Sequence, residues 1–304
     1  MNAVHALAAL LVFPGVLYAL PMGWLMMGAE RKLRARFQGR IGPPLIQPFY
    51  DFVKLAAKWP VARALSDRRI MALLPLLAVG TTLGALALLP VFPNERGFSG
   101  DLILLVGLLE MPPLCMVLAG YASRSIYGEM GATREAIIDI SCNVSFFAAL
   151  IAMSTGAGSL HMTVIALATP WQVRLPALLA ILICLPVKLR LNPFSIANAE
   201  QEVLTGPLVE SEGRLLAIWE LAHALEWVAL IGFVVTLAIP YRSGVWWLDA
   251  LLFAACSLVM VMLLTLLASA MGRLKLRQAT RLIWRYSFVL ATVALATAFL
   301  HRGN

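Results

Sequence analysis

Eight runs of apolar residues, each long enough to cross a bilayer, constrain this chain more than any other feature. They cover about 3–27, 70–92, 102–122, 137–156, 175–191, 222–240, 246–269 and 281–300. A hydrocarbon core of about 30 Å takes roughly 20 helical residues, and in lipid every backbone polar group must bond within its own segment or a closed barrel. The 304 residues are therefore expected to fold as one all-α integral membrane domain, 1–304, with about eight transmembrane helices joined by loops at 28–69, 123–136, 192–221 and 270–280 on one side. Little chain is left over for a soluble catalytic domain.

The net charge of +8 would suit a nucleic-acid binder, but its placement says otherwise. Ten Lys and Arg fall in the first loop, and Arg124, Arg134, Lys188, Arg190, Arg214, Arg273, Lys275, Arg277 and Arg281 fall in or beside the other loops on that side. The opposite side holds only Arg96, Arg174, Arg242 and Arg302. The positive-inside rule then predicts a multi-pass protein of the cell (inner) membrane, with the basic loops cytoplasmic and both termini outside. The first run has no basic segment before it and positive charge after it, as expected of a retained anchor rather than a cleaved signal. Cys115, Cys142, Cys184 and Cys256 stand far apart in apolar runs with no C-x-x-C spacing. Neither a cluster nor a zinc site is written in them, so buried small apolar side chains are expected.

Within the first loop, Gly39-Arg40-Ile41-Gly42-Pro43-Pro44 signals a turn. The following Phe49–Trp59 places Phe49, Phe52, Val53 and Ala56 on one face and Asp51, Lys54 and Lys58 on another, the pattern of an amphipathic helix lying in the interface.

Charges at membrane depth are costly and mark functional sites by default. Glu135, Asp139 and Asn143 follow at i, i+4, i+8, one stripe of the fourth span. Glu135 also reads simply as an acid in a first helical turn. Glu220, His223 and Glu226 repeat every third residue at the start of the sixth span, where two carboxylates flanking an imidazole suit proton passage. A polar helix end facing water is the plainer reading. No metal site is expected, because His5, His161 and His301 all fall on the outer side. Glu110 stands alone in mid-span beside Pro112-Pro113 and needs a partner, for which Lys188 is the candidate. Glu200 and Glu202, in an acidic loop, complete the set of candidates for a proton or ion path.

Several segments resemble one family. Glu30-Arg31-Lys32, Gln38-Gly39-Arg40-Ile41-Gly42-Pro43-Pro44-Leu45-Ile46-Gln47-Pro48 and Asp51-Phe52-Val53-Lys54-Leu55 are similar to the first cytoplasmic loop of NADH dehydrogenase subunit 1. The resemblance returns at 119–125 with 131–136, at 193–202, and at 271–277 with 280–284. Homologues in this family include the membrane anchor subunits of group 4 [NiFe]-hydrogenases, of the formate hydrogenlyase and energy-converting type. Only Pro44-Leu45-Ile46 separates Gly42-Pro43 from Gln47-Pro48, as in the hydrogenase branch, and Glu202–Leu208 resembles that branch's acidic loop. The family's usual acid in the fourth span falls at Asn143, and those usual near Lys188, Ser195 and Asn198 are absent.

The resemblance implies a non-catalytic subunit that docks a soluble hydrogenase arm and links electron transfer to proton or sodium movement. The implied docking residues are Glu30, Arg31, Arg34, Arg36, Arg40, Gly42, Pro43, Gln47, Asp51, Lys54, Arg134, Glu210, Glu212, Arg273 and Arg277. Expected partners are hydrogenase large and small subunits, a ferredoxin-like iron–sulfur subunit, antiporter-like membrane subunits and the bilayer, with no nucleic acid. The chain itself would carry no cofactor, and the [NiFe] centre and iron–sulfur clusters would sit on the partners. A complex I-like subunit lining a quinone site and a free-standing secondary transporter are the alternatives.

Overall fold

The computed structural model describes residues 16–59, 67–89, 99–197, 206–239 and 245–303. Among these the regular structure is helical: α1 Val16–Phe37, α2 Gln47–Ala56, α3 Arg68–Leu88, α4 Asp101–Ala122, α5 Ile126–Ala157, α6 Met162–Ala168, α7 Trp171–Lys188, α8 Arg214–Ala238, α9 Trp246–Ala270, α10 Leu276–Leu282 and α11 Phe288–Gly303. A π turn over Ile283–Ser287 joins α10 to α11, and a single 3-10 turn occupies Gly206–Leu208. Seven helical stretches among the described residues are long and apolar enough to cross a membrane. The expected first span is described only from residue 16 onward.

Helix α8 is the axis of the bundle. Of its most apolar window 78% is buried inside the molecule, against 28% for α9 and for the α10–α11 rod. It packs on α1, α3, α9 and α7, while α5 packs on α4, α7 and α11. Glycine allows the closest of these approaches. A Cβ at Gly131 of α5 would lie 2.7 Å from Gly206 Cα and 2.8 Å from Pro207 Cδ, so only hydrogen fits between the helix and the 3-10 turn.

Sequence and structure disagree on the loops. The expected loop 123–136 reduces to Ser123–Ser125, because α5 starts at Ile126. Glu129, Thr133, Arg134 and Glu135 dilute the hydropathy of its first three turns, yet Gly128, Gly131, Ala132 and Glu135 are buried there. Similarly, residues 28–37 continue α1 and 214–221 open α8 rather than forming loop. In both places a helix projects past its apolar run and carries charge inward.

The amphipathic helix forms at Gln47–Ala56, with proline in its first turn where the missing N–H costs nothing. Phe49 and Phe52 stack on Trp24 of α1 with ring centroids 5.0 and 5.4 Å apart. Val53 on the same face stays exposed. Trp59, 76% exposed, carries the Arg214 guanidinium over its ring at 4.0 Å, and Arg214 Nε donates to the Ala56 carbonyl at 3.3 Å. Arg31 Nη1 holds Asp51 at 2.9 Å from the α1 side. Helix α2 is thus a strap between α1 and α8.

Candidate functional site

Two groups of charges lie inside the bundle, one at the end of α7 and one just beyond it. The first is built on Lys188, the last residue of α7, whose side chain is 1% exposed. Its Nζ donates to Glu110 Oε2 of α4 at 2.8 Å, to Asn143 Oδ1 of α5 at 2.5 Å and to Asp139 Oδ1 of α5 at 3.2 Å. Glu110 Oε1 lies 2.7 Å from the same nitrogen. Asn143 Nδ2 donates to Glu110 Oε2 at 2.9 Å, so lysine, amide and carboxylate form a closed triangle across three helices. The Phe146 ring covers Nζ at 5.4 Å.

The second group depends on how α7 ends. Leu191 N–H bonds the Pro186 carbonyl at 2.9 Å and Arg190 N–H bonds Val187 at 3.0 Å, the paired bonds of a Schellman ending with Arg190 at the left-handed position. Its φ is +56°, a conformation usually left to glycine. The turn sends the guanidinium back into the bundle, where Arg190 Nη2 donates to Glu226 of α8 and Nη1 contacts Met116 Sδ at 2.7 Å. Glu226 is 1% exposed, and its Oε1 has no hydrogen-bond partner among the described residues.

His223, one turn before Glu226, is oriented from both sides. The Trp227 indole N–H donates to His223 Nε2 at 3.1 Å. An indole only donates, so Nε2 is an acceptor and the ring's own hydrogen is on Nδ1, 3.0 Å from Glu226 Oε2. A cavity of about 100 Å³ lies beside the pair, lined by Trp219, Glu220, His223, Glu226, Arg190 and Met116 among others. Glu135 is buried between the two groups, within electrostatic reach of Arg190, Asp139, Glu226 and Lys188.

Of the residues expected from sequence, the structure brings Glu110, Asp139 and Lys188 together in one group, and His223 and Glu226 in the other. Glu135 lies between, and Glu220 lines the cavity. Glu200 and Glu202 lie outside the described residues. Glu30 is corrected. Sequence assigned it to the docking face, but it is 5% exposed, paired with Arg34 and within electrostatic reach of His223. Burial pushes its carboxyl above the ordinary value, and Arg34, Arg31 and His223 pull it part of the way back. Arg31, Gln47 and Asp51 are joined by bonds of 2.9 Å inside the chain, so they fix α2 rather than standing free.

Arg36, Arg40, Lys54, Arg273 and Arg277 are exposed, whereas Arg134, Glu210 and Glu212 are half-buried. Gly42 makes its turn at φ +75°, with Pro43 half-buried after it.

Sequence reasoning passed over Arg190, Met116, Trp219 and Trp227. The one available signal was a second cation two residues after Lys188. It also read the cysteines as unrelated, yet the buried Cys142 and Cys184 thiols each reach the other's carbonyl, at 3.7 and 3.6 Å.

With this geometry in hand, comparison with known proteins is specific. The family model described as NADH dehydrogenase matches residues 8–299. Hydrogenase-4 component C of Escherichia coli (strain K12) is 32% identical over 224 residues, 71% of this chain and 71% of that one. Formate hydrogenlyase subunit 4 of the same organism is 28% identical over 292 residues, 90% of this chain and 94% of its own. NADH-quinone oxidoreductase subunit 8 of Thermus thermophilus is 30% identical over 255 residues, covering 76% and 68%. Among solved structures, a chain of the membrane-bound sulfane sulfur reductase, an archaeal respiratory membrane complex, superposes with a TM-score of 0.86 at 26% identity, covering 97% of this chain and 98% of that one.

Proposed function

Since this chain belongs to the NADH dehydrogenase subunit 1 family, we propose that it is the membrane anchor and coupling subunit of a respiratory redox complex of the group 4 [NiFe]-hydrogenase type. The observation that carries this is near-complete coverage in both directions, 90% and 94%, with formate hydrogenlyase subunit 4.

The short link between Gly42-Pro43 and Gln47-Pro48 agrees with the hydrogenase branch. It allows Gln47 to open α2 directly, so that α2 straps α1 to α8 at the basic end of the bundle. On this reading the exposed Arg36, Arg40, Lys54, Arg273 and Arg277 receive the soluble arm, and that end faces the cytoplasm of a cell-membrane protein with both termini outside. The [NiFe] centre and iron–sulfur clusters belong to the hydrogenase large and small subunits and a ferredoxin-like subunit, with antiporter-like subunits alongside in the membrane. The buried charges joining Glu30, the His223–Glu226–Arg190 group, Glu135 and Asp139 are the means by which redox events in the arm bias proton or sodium movement.

A second reading has its own support. The match to a chain of the sulfane sulfur reductase complex spans 97% of this chain, and it favours a membrane-bound reductase in place of a hydrogenase. A quinone-linked complex is the third possibility, favoured by the relative in Thermus. Affinity purification of the tagged chain in mild detergent, with mass spectrometry and metal analysis, distinguishes them. Stoichiometric nickel in a co-purifying large subunit supports the hydrogenase. A large subunit without nickel supports the reductase, and bound quinone with inhibition by quinone analogues supports the third. Purification of a lone, transport-competent chain would refute all three.

A further inference from the structure

The buried charges from Glu30 through Glu135 end at Asp139, and the geometry at Lys188 decides whether they continue to Glu110. An ammonium has three hydrogens and no acceptor. All three are committed: to Glu110 Oε2 at 2.8 Å, Asn143 Oδ1 at 2.5 Å and Asp139 Oδ1 at 3.2 Å. Asn143 sits where a relay would need an acid, and an amide neither takes up nor releases protons near neutral pH. It too is used at both ends, accepting from Lys188 and donating to Glu110 Oε2 at 2.9 Å. Glu110 Oε2 then accepts from two donors, while Oε1 is buried 2.7 Å from the ammonium with no hydrogen-bond partner of its own among the described residues. The Phe146 ring lies beside the ammonium, its centroid 5.4 Å from Nζ. Asp139 differs from Glu110 in giving Lys188 only Oδ1.

We infer that Lys188 and Asn143 act as a plug: they seal Glu110 as a structural anion, and a proton or sodium ion arriving from the Glu135 side goes no further than Asp139. This rests on the proposed function and narrows it, because the subunit then biases ion movement electrostatically and does not conduct through the α4–α5–α7 seam. Passage through the seam would require the ammonium to give up acceptors that now hold all three of its hydrogens. The same triangle bonds α4, α5 and α7 to one another, so the seal is also a staple.

The test uses the complex as purified with its co-purifying subunits, reconstituted into sealed vesicles carrying a pH-sensitive dye and, in a parallel set, a sodium-sensitive dye. Passive leak is measured after an imposed gradient with no redox substrate. The double variant Glu110→Gln with Lys188→Met keeps the side-chain volumes and the group's net charge while removing the ammonium. It is expected to raise proton or sodium leak by at least about tenfold, the barrier equivalent of about one hydrogen bond of the seal. Asn143→Asp places a group able to take and release a proton in the triangle, and is expected to raise proton leak as well. Lys188→Arg keeps the positive charge and is expected to hold leak within about twofold of the unmodified complex. Tight vesicles with the double variant and with Asn143→Asp would overturn the plug, and if one of the two does not assemble the other decides. Failure of redox subunits to co-purify would overturn the proposed function instead, and is read before reconstitution.

Discussion

Arg190 is the residue whose loss has the most calculable cost. It occupies a left-handed position that a non-glycine residue adopts at a penalty of about 1 kcal/mol. Its guanidinium is the cationic partner of Glu226, a carboxylate 1% exposed in the middle of the molecule. Removing one member of a buried pair leaves the other charge without compensation, at about 3–5 kcal/mol. Arg190→Ala retains the backbone penalty and orphans Glu226, so the full 3–5 kcal/mol is expected. Arg190→Gly orphans Glu226 equally but releases the backbone, and is expected to be about 1 kcal/mol milder than alanine. Adding Glu226→Gln to Arg190→Gly removes the stranded charge and is expected to recover more than half of the loss, a coupling of about 2 kcal/mol or more. The assay is the midpoint of graded thermal inactivation of the purified complex, read as retention of this subunit in the assembled particle, with free-energy differences compared at one fixed temperature. Two results would refute the reasoning. Arg190→Ala costing under about 1 kcal/mol would mean that Glu226 is not compensated by Arg190. Glycine and alanine behaving identically would mean that the turn at 190 stores no strain.

Three further outcomes follow from particular contacts. Gly131→Ala sets a methyl against backbone at Gly206 that cannot yield, and is expected to cost about 1–3 kcal/mol in the same assay, while Gly80→Ala, with nothing within 4 Å of its added carbon, is expected to cost nothing measurable. Trp59→Ala removes the ring beneath Arg214, a contact worth about 0.5–1 kcal/mol at an exposed site, so trypsin cleavage after Lys58 is expected to speed up about two- to fivefold; an unchanged rate would mean that α2 is not strapped there. Glu30 sets a pH dependence. Its carboxyl lies above the ordinary value when folded, so the folded state holds the proton more tightly than the unfolded state. Its contribution is fully present below the ordinary carboxylate range and is lost as pH rises through the raised value; Glu30→Gln is expected to flatten that part of the stability profile, and an unaltered profile would contradict the burial of Glu30.

What the sequence disclosed and what it concealed divide along a physical line. Apolar length is additive along the chain, so spans can be read by counting, and seven helices of sufficient length stand where runs were counted. A lone charge in mid-span also needs an opposite charge at similar depth, which makes Lys188 a candidate partner for Glu110, and the two lie 2.7 Å apart. Neither argument extends to helix ends. At an end, a charge is free to face water or to turn inward, and hydropathy gives both the same score. Glu30 and Glu135 turn inward because the helices carrying them run past their apolar stretches and remain packed. Arg190 turns inward because a single dihedral at φ +56° reverses the chain after α7, and no residue preference announces that turn, since glycine is what the position ordinarily selects. Pairing of the charges follows from these end geometries. Lys188 and Arg190 are two residues apart, yet the dihedral between α7 and its exit gives one to Glu110 and Asp139 and the other to Glu226, so a sequence carrying both cations separates two buried groups that a count of carboxylates alone would have joined into one path.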